Sequence, residues 1–291
     1  MTQGAEAPPR SEWRGVSWLL ADMSLNIWAL AIVKASGAEF PATQLVFLRA
    51  AVGLVLMIPW IVTARADFRL ARRPGLHLAR IALSSLTLTA SFYAIARVPF
   101  ALFTAVNFTR PLVMIALAAL FLAEPATPRR WLAALLGLVG VLIAVGPGPA
   151  SLDPAFLALT LTVLSGTAAI IVTCKINDQP PVVLMTAYTA GLAVTTAVPA
   201  ALSWAPVARA DWPVLLAIGL FAQAAQFCFL RAHRGASAGL LGIVGYVSLV
   251  LSTCVGWLLF DEVPSLEFWC GTLLILTATW IVRASWRGSV R

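Results

Sequence analysis

The sequence predicts an all-α membrane protein of ten transmembrane helices, split into two five-helix halves of opposite orientation, with both termini cytoplasmic. Three observations carry that expectation. The 291-residue chain is 60% hydrophobic and only 11% charged, with a mean hydropathy of +0.91, whereas a soluble domain carries about 25% charged residues. Ten apolar stretches are each close to the ~20 residues a helix needs to cross a bilayer. The basic residues between those stretches alternate from side to side, fifteen against three.

The ten stretches run over 13–33, 41–62, 76–96, 100–122, 129–146, 154–174, 181–203, 211–230, 236–259 and 265–285. Turn chemistry separates most of them: Ser36-Gly37, Arg73-Pro74-Gly75, Val98-Pro99, Pro147-Gly148-Pro149, Gln179-Pro180-Pro181 and Val263-Pro264. Only the ends and the basic stretch from Arg65 to Arg73 have room to protrude. The expected organisation is a cytoplasmic tail over 1–12, a first half over 13–148, a second over 149–286 and a short tail over 287–291. The opening MTQGAEAPPRSEWRG lacks the positive-then-apolar-then-cleavage pattern of a removable leader, so the first apolar stretch is expected to stay as an anchor.

Orientation comes from the arginines. With the N-terminus inside, fifteen Arg and Lys fall on the inner flanks, Arg80 among them, and only Lys34, Arg97 and Arg209 on the outer ones; Arg49 and Arg110 lie within spans. That bias is the positive-inside pattern, and it also favours an even number of spans. The chain is thus expected to be multi-pass in a bacterial inner membrane, with the bilayer as its partner. The +8 formal charge is accounted for by this asymmetry and gives no reason to invoke nucleic acid. Seven tryptophans, Trp13, Trp60, Trp131, Trp204, Trp212, Trp269 and Trp286, lie near span ends, where the indole suits the headgroup region.

The stretch Pro99 to Glu124 holds an asparagine, an arginine and a proline near its middle. Asn107 and Arg110 are three apart and project to one side of a helix. Charge at mid-bilayer costs at least about 2.5–3.5 kcal/mol, so Arg110 should face protein or water. Pro111 removes a backbone donor and should bend the helix there. Gly235 to Glu262 echoes this stretch. Glu124 and Glu262 each close a long helix, and each is followed by a proline turn and a span opening with Trp131 or Trp269, at an offset of 138 residues. Lys34 and Lys175 each end the first helix of a half. Five helices per half turn the second copy upside down, an arrangement that places a solute site between the halves.

The run LAALFLAEP, the motif FLRAAVGL around Arg49 and the second-half FLRAHRGASAGLLG resemble the EamA repeat of the drug/metabolite transporter (DMT) superfamily over nearly the whole chain. The resemblance implies two inverted five-helix EamA repeats and movement of small metabolites across a bacterial inner membrane, usually outward. Within the superfamily the chain looks most like the YddG-like aromatic amino acid exporter branch. It departs from an exact repeat at Val247, Ser248 and Leu249, which stand where the first half has Arg110 and Pro111.

The candidate substrate-binding residues are Asp22, Asn26, Ser84, Thr87, Ser91, Phe103, Asn107, Arg110, Gln223, Gln226 and Tyr246. Trp18, Asp22 and Asn26 are spaced by four, so they form one stripe on the first helix. Asp22 is the carboxylate placed well inside a span, and Arg110 falls at similar depth. The pair can be a structural ion pair, Asp22 can couple protons, or Arg110 can bind a substrate carboxylate; the residues alone do not choose. Arg49 is a second potential partner for Asp22, but the resemblance makes its helix peripheral and its role stabilising. Ser84, Thr87 and Ser91 share a face, which is read either as helix glue or as a polar cavity wall. The same two readings apply to Gln223 and Gln226. Gly239, Gly242 and Gly245 form a stripe for close packing or sliding, and Gly166 allows a close helix approach. Phe103, Phe108, Tyr246 and Trp28 would suit a flat ligand.

No GxxxxGK loop is present, so ATP drive by this chain is not expected. His77 and His233 have no metal-ligand spacing, and Cys174, Cys228, Cys254 and Cys270 read as small packing residues. No cofactor and no enzyme activity are expected. The leading reading is a secondary carrier exporting amino acids, aromatic ones included, by alternating access, with proton coupling an open option and the oligomeric state open, a monomer being compatible with it. Its rivals are a carrier of drugs, nucleotide-sugars or nucleobases, a channel, and a membrane-embedded enzyme acting on lipid-linked substrates.

Overall fold

The computed structural model describes residues 9–37, 39–70, 72–110, 112–114, 128–145, 153–176, 178–235, 244 and 247–288. Among these residues there are no strands. The helices are α1 (Pro9–Ser36), α2 (Ala42–Thr63), α3 (Pro74–Ile95), α4 (Phe100–Asn107), α5 (Pro128–Val145), α6 (Pro154–Cys174), α7 (Pro181–Leu202), α8 (Trp212–Gly235), α9 (Val247–Phe260) and α10 (Leu266–Gly288), with a 3-10 turn at Arg65–Leu70. Six of them, α1, α2, α3, α6, α7 and α8, are long and apolar enough to cross a membrane, and α4, α5, α9 and α10 contribute shorter apolar helices. The predicted stretches 100–122 and 236–259 lie partly outside the described residues.

Local sequence explains where the helices begin. Pro74, Pro128, Pro154 and Pro181 occupy the first positions of α3, α5, α6 and α7, where the missing N–H is one the first turn would not use. Asp153 adds a cap to α6, its carboxylate accepting from the Ala155 N–H at 2.7 Å. On the outer surface, exposed Leu135, Leu142, Val194, Leu220 and Leu258 form the apolar coat that lipid requires. Trp13, Trp60, Trp204, Trp212 and Trp269 are exposed as well.

The packing shows the two-fold relation between the halves. α1 packs on α8 and α6 on α3; α2 meets α7, α4 meets α9 and α5 meets α10; α2 also touches α8, and α3 touches α7. Adding five to each helix number in these seven pairs, counted round the ten labelled helices, returns the same seven pairs. Side chains repeat the relation. Pro59 and Pro199 lie inside α2 and α7, and the Thr63 and Ser203 hydroxyls donate to their carbonyls at 3.1 and 2.8 Å. Gln44 clamps the backbone beyond α7, donating to Ala205 O at 3.0 Å and accepting from Ala205 N at 2.9 Å. Gln179 clamps the backbone beyond α2 in the same way, through Arg72 O at 2.9 Å and Arg72 N at 3.3 Å.

One end of the bundle is tied shut. The chain leaves α9 through Asp261 at a φ of +53°, and the Glu262 N–H reaches back to Gly256 O at 3.1 Å, a left-handed helix ending. This turns Glu262 inward. One carboxylate oxygen pairs with Lys34 Nζ at 2.8 Å and the other accepts from the Phe100 N–H at the start of α4, at 2.6 Å. Lys34 also donates to Val98 O at 2.6 Å. Gly256 is needed here, because a Cβ at that position would lie 2.9 Å from the Glu262 carboxylate. Below this latch, Phe40, Ile95, Phe100 and Leu159 fill an apolar plug.

Candidate functional site: a cationic cavity between the halves

A cavity of about 530 Å³ lies between the halves, within the range usual for small-molecule sites. α1 gives it Asp22 and Asn26, α2 Arg49, α3 Arg80, Ser84, Thr87 and Ser91, and α4 Phe103, Thr104 and Asn107, followed by Arg110. From the second half come Gly166 and Thr173 of α6, Tyr188 of α7, Gln226 of α8 and Ser248 of α9. The lining runs along α3 from Phe92 to Arg80 and reaches Thr173 near the end of α6. The cavity therefore extends towards the end of the bundle remote from the latch.

Arg110 owes its position to a break in α4. Phe108 and Thr109 form a turn held by i+3 bonds, Phe108 N to Ala105 O at 3.0 Å and Thr109 N to Val106 O at 3.0 Å, tighter than α-helical spacing. Pro111, which lies outside the described residues, has no N–H to offer the Asn107 carbonyl. Asn107 Nδ2 turns back to Phe103 O at 2.8 Å. The guanidinium rests over Gly166: a Cβ there would lie 3.3 Å from Arg110 Nη2 and 3.1 Å from Thr87 Cγ2. Arg110 Nε is buried and has no hydrogen-bond partner. A buried donor left unpaired costs about 1–3 kcal/mol, and more on a charged group.

Nine of the predicted residues line the cavity: Asp22, Asn26, Ser84, Thr87, Ser91, Phe103, Asn107, Arg110 and Gln226. Gln223 does not. It lies between α2, α7 and α8, with its Oε1 3.0 Å from where a Cβ on Gly53 would be. Tyr246 and the Gly239, Gly242 and Gly245 stripe lie outside the described residues. Thr87 and Ser165 share a hydrogen bond of 2.8 Å between α3 and α6, and Ser85 and Thr195 share one of 2.6 Å between α3 and α7. The hydroxyls of α3 thus act both as glue and as wall.

One open alternative narrows and two expectations change. Asp22 and Arg110 line the same cavity without forming an ion pair. Among the described residues the pairs within 4 Å are Lys34–Glu262 and Arg73–Asp178. Arg49 is not peripheral, because α2 packs against α7 and α8 and brings it beside Tyr188 and Gln226. Arg80, assigned to the inner flank, lies nearly two turns inside α3. It donates to Leu184 O at 3.1 Å and stands 5.4 Å over the Tyr188 ring. Counting turns from Pro74 would have moved Arg80 into the span; nothing local pointed to Tyr188 or Thr173. Trp28 is half exposed and is not among the lining residues.

Among the described residues no three His, Cys, Asp or Glu side chains gather where a metal could sit. The site offers guanidiniums, one carboxylate, amides, hydroxyls and aromatic faces, which is equipment for holding a polar solute. Two helical halves enclosing such a cavity in an apolar coat define a multi-pass membrane protein. The profile of the EamA-like transporter family matches residues 13–146 and again residues 154–284, and the chain belongs to that family. It is 24% identical to an S-adenosylmethionine uptake transporter of Rickettsia bellii, over 91% of each chain. It is 28% identical to a riboflavin transporter of Brucella anthropi, over 82% of this chain and 87% of that one. With a pseudopaline exporter of Pseudomonas aeruginosa it shares 29% identity, over 85% and 88%. A protein of known crystal structure superposes with a TM-score of 0.64 at 20% identity, covering 94% of this chain and 98% of that one, a likeness of fold.

Proposed function

We propose that the protein is a secondary carrier of the bacterial inner membrane that exports small metabolites bearing a carboxylate, amino acids foremost, by alternating access. The observation that carries this reading is Arg110: an arginine with a buried, unpaired Nε, held at a helix break and lining a cavity built by both halves. A polar group kept at such cost in an apolar bundle is a functional-site candidate by default. The latch at one end and the cavity reaching the other are what a carrier needs at one stage of its cycle. With the N-terminus inside, the latched end is the outer one and the site faces the cytoplasm. In this reading Arg110 grips the carboxylate, Asp22 meets the ammonium, and Phe92, Phe103 and Tyr188 cover the apolar part. The relatives' cargoes, S-adenosylmethionine, riboflavin and pseudopaline, support a small metabolite. Their names include both uptake and export, so direction is the point to measure.

The test is exchange of labelled amino acid in liposomes holding the purified protein. Saturable counterflow is expected, lost in Arg110→Ala while the variant remains monodisperse and melts as a folded protein. Flux that never saturates and shows no counterflow would point to a channel. Product formed without any solute crossing would point to an enzyme.

A further inference from the structure

The charge inventory of the cavity separates one class of solute from the others. Three guanidiniums, Arg49, Arg80 and Arg110, and one carboxylate, Asp22, line it, three positive charges against one negative and a formal excess of two. Among the described residues no other acidic side chain reaches the cavity. The chain has twelve acidic residues, and the nine with described side chains include Asp22 and eight others. Those eight, Glu39, Asp67, Asp153, Asp178, Asp211, Asp261, Glu262 and Glu267, lie at turns, in the 3-10 segment or at helix ends. The two that form ion pairs do so with Lys34 and Arg73, outside the cavity. Arg80 spends one donor on a backbone carbonyl, which leaves its charge uncompensated.

A zwitterionic amino acid brings one negative and one positive charge, so it would leave the excess unchanged. We infer that the solute held here is a net-anionic organic acid, bearing at least one acidic group beyond an α-amino-acid head. Guanidiniums bind carboxylate and phosphate alike, often in paired, charge-assisted bonds. The inference rests on the carrier reading above and narrows it from amino acids in general to acidic ones, placing aromatic amino acids second.

The experiment is binding to the purified full-length protein in chloride-free buffer, followed by exchange in liposomes. The anionic probes are glutamate, glutarate, citrate and phosphoserine; phenylalanine and leucine are the zwitterions, and lysine the cation. At least one anion should bind about 10-fold or more tighter than phenylalanine, the difference that one further charge-assisted hydrogen bond makes. Lysine should not bind. Arg49→Gln and Arg80→Gln should each shrink the anion-to-zwitterion ratio, and Arg49→Lys should retain it, which separates lost charge from lost folding. Phosphoserine binding without the carboxylates would support the inference and assign phosphate as the acidic group. The inference is overturned if none of the four anions binds at millimolar concentration, or if phenylalanine binds as tightly as the best of them. Counterflow of phenylalanine with no anion preference would leave the carrier standing and remove this inference. Anion-selective binding without any exchange would do the reverse.

Discussion

Glu262 offers a direct test of how the bundle is closed. Replacing it with alanine removes three things together: the partner of Lys34 at 2.8 Å, the acceptor for the Phe100 N–H at 2.6 Å, and the negative charge at the start of α4. Taking one partner from a buried ion pair costs about 3–5 kcal/mol, because the other charge is left uncompensated. The Lys34 and Glu262 side chains keep 10% and 19% of their exposure, and Lys34 retains Val98 O, so the low end near 3 kcal/mol applies. Glutamine in the same place keeps one acceptor, enough for the Phe100 N–H, but leaves Lys34 without its carboxylate, so it should cost less than alanine by about the one retained hydrogen bond, roughly 0.5–1.5 kcal/mol. The measurement is thermal unfolding in detergent at a fixed scan rate, since membrane proteins commonly unfold irreversibly. The expected order of melting is wild type, then Glu262→Gln, then Glu262→Ala. The combination Lys34→Met with Glu262→Ala should melt well above the sum of the two single losses. Equal melting of Glu262→Ala and wild type would refute the latch as a stabilising element.

Gln44 is fully buried and satisfies both backbone groups of Ala205; Gln44→Ala should lower stability by about 1–3 kcal/mol, read in the same melt. The Arg73–Asp178 pair is more than half exposed on both sides, so Asp178→Asn should change stability by less than about 1 kcal/mol. Gly166→Val would press on Thr87 and on the Arg110 guanidinium; overpacking of about 1–3 kcal/mol should displace Arg110 and abolish counterflow in a protein that still folds. If Asp22 carries a proton during turnover, an imposed pH gradient should change flux in wild type and not in Asp22→Asn, and equal responses in both would assign Asp22 to the solute instead.

How much of the site was legible from the sequence varies by residue. Asp22, Asn107, Arg110 and Gln226 could be picked out because a polar side chain in an apolar span has few reasons to be there. Gly166 stands out as a glycine within a span, but that it makes room for Arg110 depends on α6 crossing at that level. Gln44 sits in the first turn of α2 and Gln179 in the bend before α7, where a polar residue looks ordinary. Their role as clamps appears only when the loops 161 and 107 residues away are brought against them.

The sequence by itself determined the class of protein. Apolar composition, span length, proline turns and the side-to-side placement of arginine are local properties, and each follows from the free energy of putting a peptide in lipid. The echo between Glu124 and Glu262, and between Lys34 and Lys175, marked the two halves in one dimension. Only the tertiary structure decided partners, because a lysine at the end of α1 and a glutamate beyond α9 are joined by packing rather than by spacing. It separated Asp22 from Arg110, moved Arg49 and Arg80 into the cavity and turned Gln223 away. Those outcomes depend on which faces of which helices meet, and a one- or two-residue shift of register along a helix is enough to change them.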